Sequence, residues 1–166
     1  MRHPSFHHHP ELDRQSFLLQ RVQPGLSGLM DGSLSTLAPI FAVVLATHQP
    51  LTAFYTGLAT ALGAGVSMAF SEGLSDTGDL TGRGNPALRG AITGGGTFLG
   101  GVFHTLPFLI PNYHAAIVVA TVELVFLAWL RYKFFRTSFL RSFVSVTVGG
   151  AIIVSLSAAL GVAAAG

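Results

Sequence analysis

The sequence predicts an all-α integral membrane protein of five transmembrane helices, with the N-terminus in the cytoplasm and the C-terminus outside. Three observations carry that reading. Charged residues make up 10% of the 166-residue chain and apolar residues 50%, whereas a soluble domain carries about 25% charge. Five apolar stretches, roughly 25–46, 51–74, 88–110, 115–135 and 142–165, each reach the ~20 residues that a helix needs to cross ~30 Å of hydrocarbon. Threading five spans then places every Lys and Arg on one side.

Those basic residues are Arg2, Arg14, Arg21, Arg83, Arg89, Arg131, Lys133, Arg136 and Arg141. They belong to the N-terminal tail, the 75–87 loop, the 136–141 loop and the adjoining helix ends. The positive-inside rule makes that side the cytoplasm. The chain has no cysteine, which removes disulfides and thiolate metal sites together. Its first 24 residues contain no apolar core of a signal peptide. No phosphate loop, nucleophile elbow or zinc-protease motif occurs, so an enzyme is not expected, and no nucleic-acid partner either.

Residues 1–24 form a polar tail. A short helix is expected to open at Pro10, with Glu11 and Asp13 in its first turn, and to stop at Pro24. Its Leu12, Leu18, Leu19 and Val22 make an apolar stripe suited to a membrane surface. Upstream, His3, His7, His8 and His9 form a cluster. Clustered imidazoles bind divalent metals, although composition alone equally fits a disordered tail.

The first span carries Asp31 together with Pro39, which removes one backbone donor. A carboxylate at membrane depth costs roughly 2.5–3.5 kcal/mol on insertion scales and is tolerated chiefly beside a polar cavity or partner. The bland reading is that Asp31 caps a helix beginning at Gly32. Helix lengths place Asp31 and Met68 of the second span at the same depth, ~9 Å inside the basic face. Glu72 follows Met68 by four residues on one helix face. Carboxylate and thioether together form a mixed ligand set suited to a borderline ion such as Fe²⁺. Against this stand a gap-filling methionine and an interfacial glutamate reaching water.

The connections 47–50 and 111–114 are so short that the helices they join must be antiparallel neighbours. In the third span Gly90, Gly94, Gly95, Gly96, Gly100 and Gly101 allow close helix approach and are assigned no chemistry. His104 lies in its outer half and His114 opens the fourth span; either can take a metal or a proton on the exit side, or simply pack. Glu123 sits near the centre of the fourth span with no basic residue at its depth. A carboxyl there can alternate between neutral and charged forms, as proton exchange requires, or serve as an interhelical hydrogen bond. Trp129, Tyr132, Phe134 and Phe135 beside Arg131 and Lys133 read as an interfacial belt.

Residues 28–37 (GLMDGSLSTL) and 63–75 (GAGVSMAFSEGLS), with 80–84 (LTGRG) and His104-Thr105-Leu106-Pro107, resemble the vacuolar iron transporter family. Within it, the likeness is to the membrane half of bacterial membrane-bound ferritin proteins, and it covers about 25–165. The resemblance implies five membrane helices, a homodimer, and movement of Fe²⁺, sometimes Mn²⁺, out of the cytosol in exchange for protons. It implies no permanently bound cofactor, the ion being cargo. Asp31 matches the family's transport-path aspartate and Met68 its second-helix methionine.

Two departures bear on ion capture. Plant members carry an acidic helical insert after the second helix, where this chain offers only Asp76 and Asp79. The membrane-bound ferritins carry an N-terminal ferritin-like domain, where this chain has its histidine tail; a separate ferritin-like partner is one way to replace it. The expected function is proton-coupled export of Fe²⁺ or Mn²⁺ across a bacterial cytoplasmic membrane. Asp31, Met68 and Glu72 would hold the metal, Glu123 would exchange protons, and His104, His7, His8 and His9 would be accessory. The rival reading is a non-transporting membrane scaffold or a subunit of a metal-handling complex.

Overall fold

A computed structural model describes residues 10–75, 77–78, 81–135 and 139–165. The tail histidines His3, His7, His8 and His9, the loop acids Asp76 and Asp79, and Arg136 lie outside the described residues. All regular structure among the described residues is helical: α1 (Pro10–Phe17), α2 (Gln23–Thr47), α3 (Pro50–Gly73), α4 (Pro86–Thr105), α5 (Tyr113–Phe135) and α6 (Phe139–Ala165). The five long helices fall where the apolar stretches predict them. Among the described residues, two helical stretches are long and apolar enough to cross a membrane: 14–47, which includes α2, and α3.

Pro24 does not end the first helix. Residues Leu18–Val22 form a single π-turn through which α1 runs on into α2, and Pro24 sits in the first turn beyond it. A proline clashes with the carbonyl four residues back and offers it no donor; a widened turn absorbs both defects without a break. The extension lies against the 74–85 loop, where Gln20 Nε2 donates to the Gly82 carbonyl at 3.1 Å. In that loop Gly78, Gly82 and Gly84 take left-handed backbone. A Cβ on Gly78 would fall 2.0 Å from the Gly84 carbonyl oxygen.

Local chemistry sets the other boundaries. His48 adopts the left-handed conformation and its N–H donates to the Val44 carbonyl at 2.9 Å, closing α2, while Pro50 opens α3 two residues later. Asn85 caps α4 by accepting from the Leu88 N–H at 3.1 Å, with Pro86 next in line. Asn112 likewise accepts from the N–H groups of His114 and Ala115 at the start of α5.

Helix α4 is the central helix, packed between α2 and α3. A Cβ on Gly32 of α2 would lie 1.8 Å from the Thr97 carbonyl oxygen, and one on Gly94 would lie 2.5 Å from the Gly65 carbonyl oxygen of α3. The backbones are therefore in van der Waals contact, which only glycine allows. Successive contacts (Gly28 with Thr93, Gly32 with Thr97) run α2 parallel to α4, and Gly65 with Gly94, then Gly57 with Thr105, run α3 antiparallel to it. Toward the far end, Leu37, Ile40, Phe41, Val44, Ala53 and Phe108 form the apolar core. Phe41 and Phe108 meet edge to face at 6.3 Å.

Beside this apolar core, the distribution of polarity among the described residues is partly inverted relative to a water-soluble bundle. Ser33, Thr36, Arg89, Thr93, Thr97, His104, Thr105, Glu123 and Ser157 are buried, while Leu74, Leu140 and Phe70 are 81%, 70% and 66% exposed. Contiguous apolar surface on this scale marks a face that meets something other than water. Lys133 Nζ lies 5.2 Å over the Trp129 ring, which stacks on Phe126, a cation–π contact near the end of α5.

Candidate functional site

Three features could carry chemistry, one at the basic end, one partway in and one deep. At the basic end, Glu72 closes α3 and Arg89 lies one turn into α4. The Arg89 side chain has no exposed surface; its Nε donates to Glu72 Oε1 at 2.6 Å, and its second amino group donates to Ser75 Oγ at 3.0 Å and the Glu72 carbonyl at 3.3 Å. Arg83, from the loop, donates to the same carboxylate oxygen. Glu72, expected beside Met68 as a metal ligand, is thus the acceptor of two guanidinium groups. The cause is helix geometry: α3 ends exactly one loop before α4 begins, so its terminal carboxylate and carbonyls meet the buried arginine of the antiparallel neighbour.

Asp31 lies well inside α2 and is no cap. It is half-buried, and among the described residues it makes no hydrogen bond or ion pair. Its direction follows from helical spacing. Ile40, nine residues on, touches the Gly57 position of α3, and nine residues are about two and a half turns. Asp31 therefore points away from α3. Counting inward from the Ile40–Gly57 contact puts Met68 within about 3 Å of the depth of Asp31. The two residues share a depth, as the helix lengths predict.

Deep in the bundle, His104 of α4 is fully buried and Glu123 of α5 is 9% exposed. His104 Nδ1 and Glu123 Oε2 stand 3.8 Å apart. The Gly100 carbonyl, one turn back, also faces the ring. Neither imidazole nitrogen nor Glu123 Oε2 reaches hydrogen-bond distance of a partner among the described residues. Among them no three His, Asp or Glu side chains gather as a metal site. The pair alone offers a cation two ligands, fewer than the four to six that Fe²⁺ or Mn²⁺ takes.

Between the two ends runs a buried polar seam. Arg89, Thr93, Thr97 and His104 follow one stripe of α4, faced by Ser33 and Thr36 of α2. Each hydroxyl satisfies itself on its own helix: Thr93 donates to the Arg89 carbonyl at 2.9 Å, Thr97 to Thr93 at 3.0 Å and Thr36 to Gly32 at 2.8 Å. Ser33 Oγ also leans toward the Gly100 carbonyl at 3.4 Å. The seam was readable in sequence as the four-residue spacing of Arg89, Thr93 and Thr97, which charge and composition arguments pass over. At the far end, the α2–α3 connection and the turn after α4 enclose an open cleft of about 460 Å³ lined by His48, Gln49, Pro50, Phe108 and Pro111.

Comparison with protein-family models, with curated proteins and with solved structures finds no match to this chain. Among the described residues, fold and site define a class: an all-helical bundle with a buried polar seam beside its apolar core, large apolar side chains on its surface and two helices long and apolar enough to cross a membrane.

Proposed function

We propose that the chain is a five-span membrane protein that exports Fe²⁺ or Mn²⁺ from the cytosol in exchange for protons, working as a homodimer in a bacterial cytoplasmic membrane. The observation that carries this reading is Asp31, a half-buried carboxylate on an apolar helix with no partner among the described residues. A static membrane bundle gains nothing from such a group, whereas a cation path needs one. The inverted polarity supports the membrane location, and the resemblance of residues 28–37 and 63–75 to vacuolar iron transporters supplies the ion class.

Asp31 is the carboxylate that meets the ion on this path, with Met68 lining the approach at similar depth. Glu72 acts at the mouth as part of an ion-paired closure rather than as a ligand. Glu123 exchanges the proton. The tail histidines His7, His8 and His9 gather ions at the entrance, alone or with a ferritin-like partner. A scaffold or subunit role remains the second reading, favoured by one observation: the seam hydroxyls and Glu72 are satisfied internally, as in a bundle built only to pack.

The test is ion uptake into proteoliposomes under an imposed pH gradient. Wild type is expected to move Fe²⁺ or Mn²⁺ only with the gradient, and Asp31→Asn, which keeps shape and hydrogen bonding, to lose at least about tenfold of that flux, a loss of about 1.4 kcal/mol or more in barrier terms. Equal flux in both proteins would remove Asp31 from the path; no flux from a folded wild type would leave the scaffold.

A further inference from the structure

We propose that His104 and Glu123 form a single buried proton-holding pair, in which His104 shares and positions the proton of Glu123. This rests on the transport reading only for its use, not for its existence. The two groups come from different helices, both are buried, and besides the Gly100 carbonyl facing the His104 ring no other hydrogen-bond partner approaches Nδ1 or Oε2 among the described residues. Buried polar atoms are nearly always paired, and those left unpaired in a native structure ask for a proton, a water or an ion. A closure of about 1 Å, within reach of side-chain rotation, turns the 3.8 Å approach into a hydrogen bond.

The surroundings favour a proton over a metal. The remaining charged residues on the packed helices are Asp31 on α2, Glu72 on α3, Arg89 on α4, Arg131 and Lys133 on α5, and Arg141 on α6. Arg89 is fifteen residues back along α4 and Arg131 eight residues on along α5, about 22 and 12 Å by helical rise. Thr36 meets the Gly101 position and Ala61 packs there too. That contact places Asp31 about 12 Å and Glu72 about 20 Å toward the basic end. Of the charged residues so placed, none stands close enough to hold either group singly ionised in a low-dielectric interior.

With one shared proton the pair is neutral overall. Moving it from Glu123 Oε2 to His104 Nδ1 breaks an O–H bond, forms an N–H bond and leaves the net charge at zero. Loss of the proton leaves net −1 and gain of a second gives net +1, so each exchange changes the charge of the bundle centre by one. Phe108, four residues beyond His104, is buried in the apolar core and lines the cleft at the far end.

The experiment uses the full chain in lipid nanodiscs and reads infrared difference spectra across a pH series, with isotope-labelled histidine. The Glu123 carboxyl band is the one lost in Glu123→Gln, and the His104 ring signal the one lost in His104→Gln. A shared proton makes the two signals titrate together in wild type, and His104→Gln or His104→Phe displaces the carboxyl transition by at least about one pH unit. Independent titration, or a carboxyl band untouched by both histidine variants, overturns the pair. If neither histidine variant folds, the labelled histidine signals of wild type decide: one that titrates together with the Glu123 band supports the pair, and none doing so overturns it. In proteoliposomes, His104→Gln is expected to lose gradient-driven Mn²⁺ flux while keeping Mn²⁺–Mn²⁺ exchange, which a structural role would not separate. A wild type without flux but with co-titration would sink the exporter and keep the pair.

Discussion

Arg89 has no exposed side-chain surface and reaches Glu72, Ser75 and a helix-end carbonyl at once. Such a group is stable only while its partners remain. Removing one member of a buried ion pair costs about 3–5 kcal/mol, because the survivor keeps its charge without compensation. Glu72→Gln should lower the unfolding free energy by about that amount in detergent melts, and Glu72→Leu combined with Arg89→Met should cost less than the sum of the single changes. A Glu72→Gln protein melting with wild type would show that Arg83 and Arg89 find other acceptors. In the sequence Glu72 reads as a metal ligand because Met68 is four residues away, and Arg89 reads as one positive charge among nine. Only the meeting of two helix ends reveals that they neutralise each other. Asp31 is the opposite case. Its position on an apolar helix is legible in the sequence, and its lack of a partner within the described chain is what keeps it a candidate.

At the scale of elements, the helix ends were legible wherever a residue type forces them: Pro50, Pro86 and the capping Asn85 each sit where local chemistry requires a start. Pro24 was misleading for a physical reason, since a π-turn relieves a proline as fully as a break does. The glycines of α4 were readable as packing residues, and the structure adds which glycines of the helices packed against it are indispensable. Gly32→Ala would put a methyl 1.8 Å from the Thr97 carbonyl oxygen, forcing α2 off α4; overpacking of this kind costs about 1–3 kcal/mol or more. Gly63→Ala has nothing within 4 Å of the added carbon and should be neutral or stabilise α3 by up to about 1 kcal/mol. Paired thermal melts check both, and equal behaviour of the two variants would mean that the α2–α4 contact is looser than the glycine geometry implies.

At the scale of the whole molecule, the proposed five-span topology makes a prediction that the absence of native cysteine renders clean. Gln49→Cys and Asn112→Cys should react with a membrane-impermeant maleimide from one face, and Thr77→Cys only from the other; labelling of all three from one face would overturn the topology. Exposed Leu74, Phe70 and Leu140 belong against lipid in that arrangement, and the carboxylates and hydroxyls belong inside. The sequence by itself determined the class of element and its placement along the chain. Apolar length, glycine spacing and the one-sided basic residues are local quantities that hydrocarbon thickness and backbone hydrogen bonding translate directly into helices. Direction and partnership were decided only by the tertiary structure. Which way Asp31 points, what holds Glu72, and that His104 meets Glu123 all depend on how helices distant in sequence are rotated against one another. A rotation of a single residue, about 100°, suffices to change every neighbour.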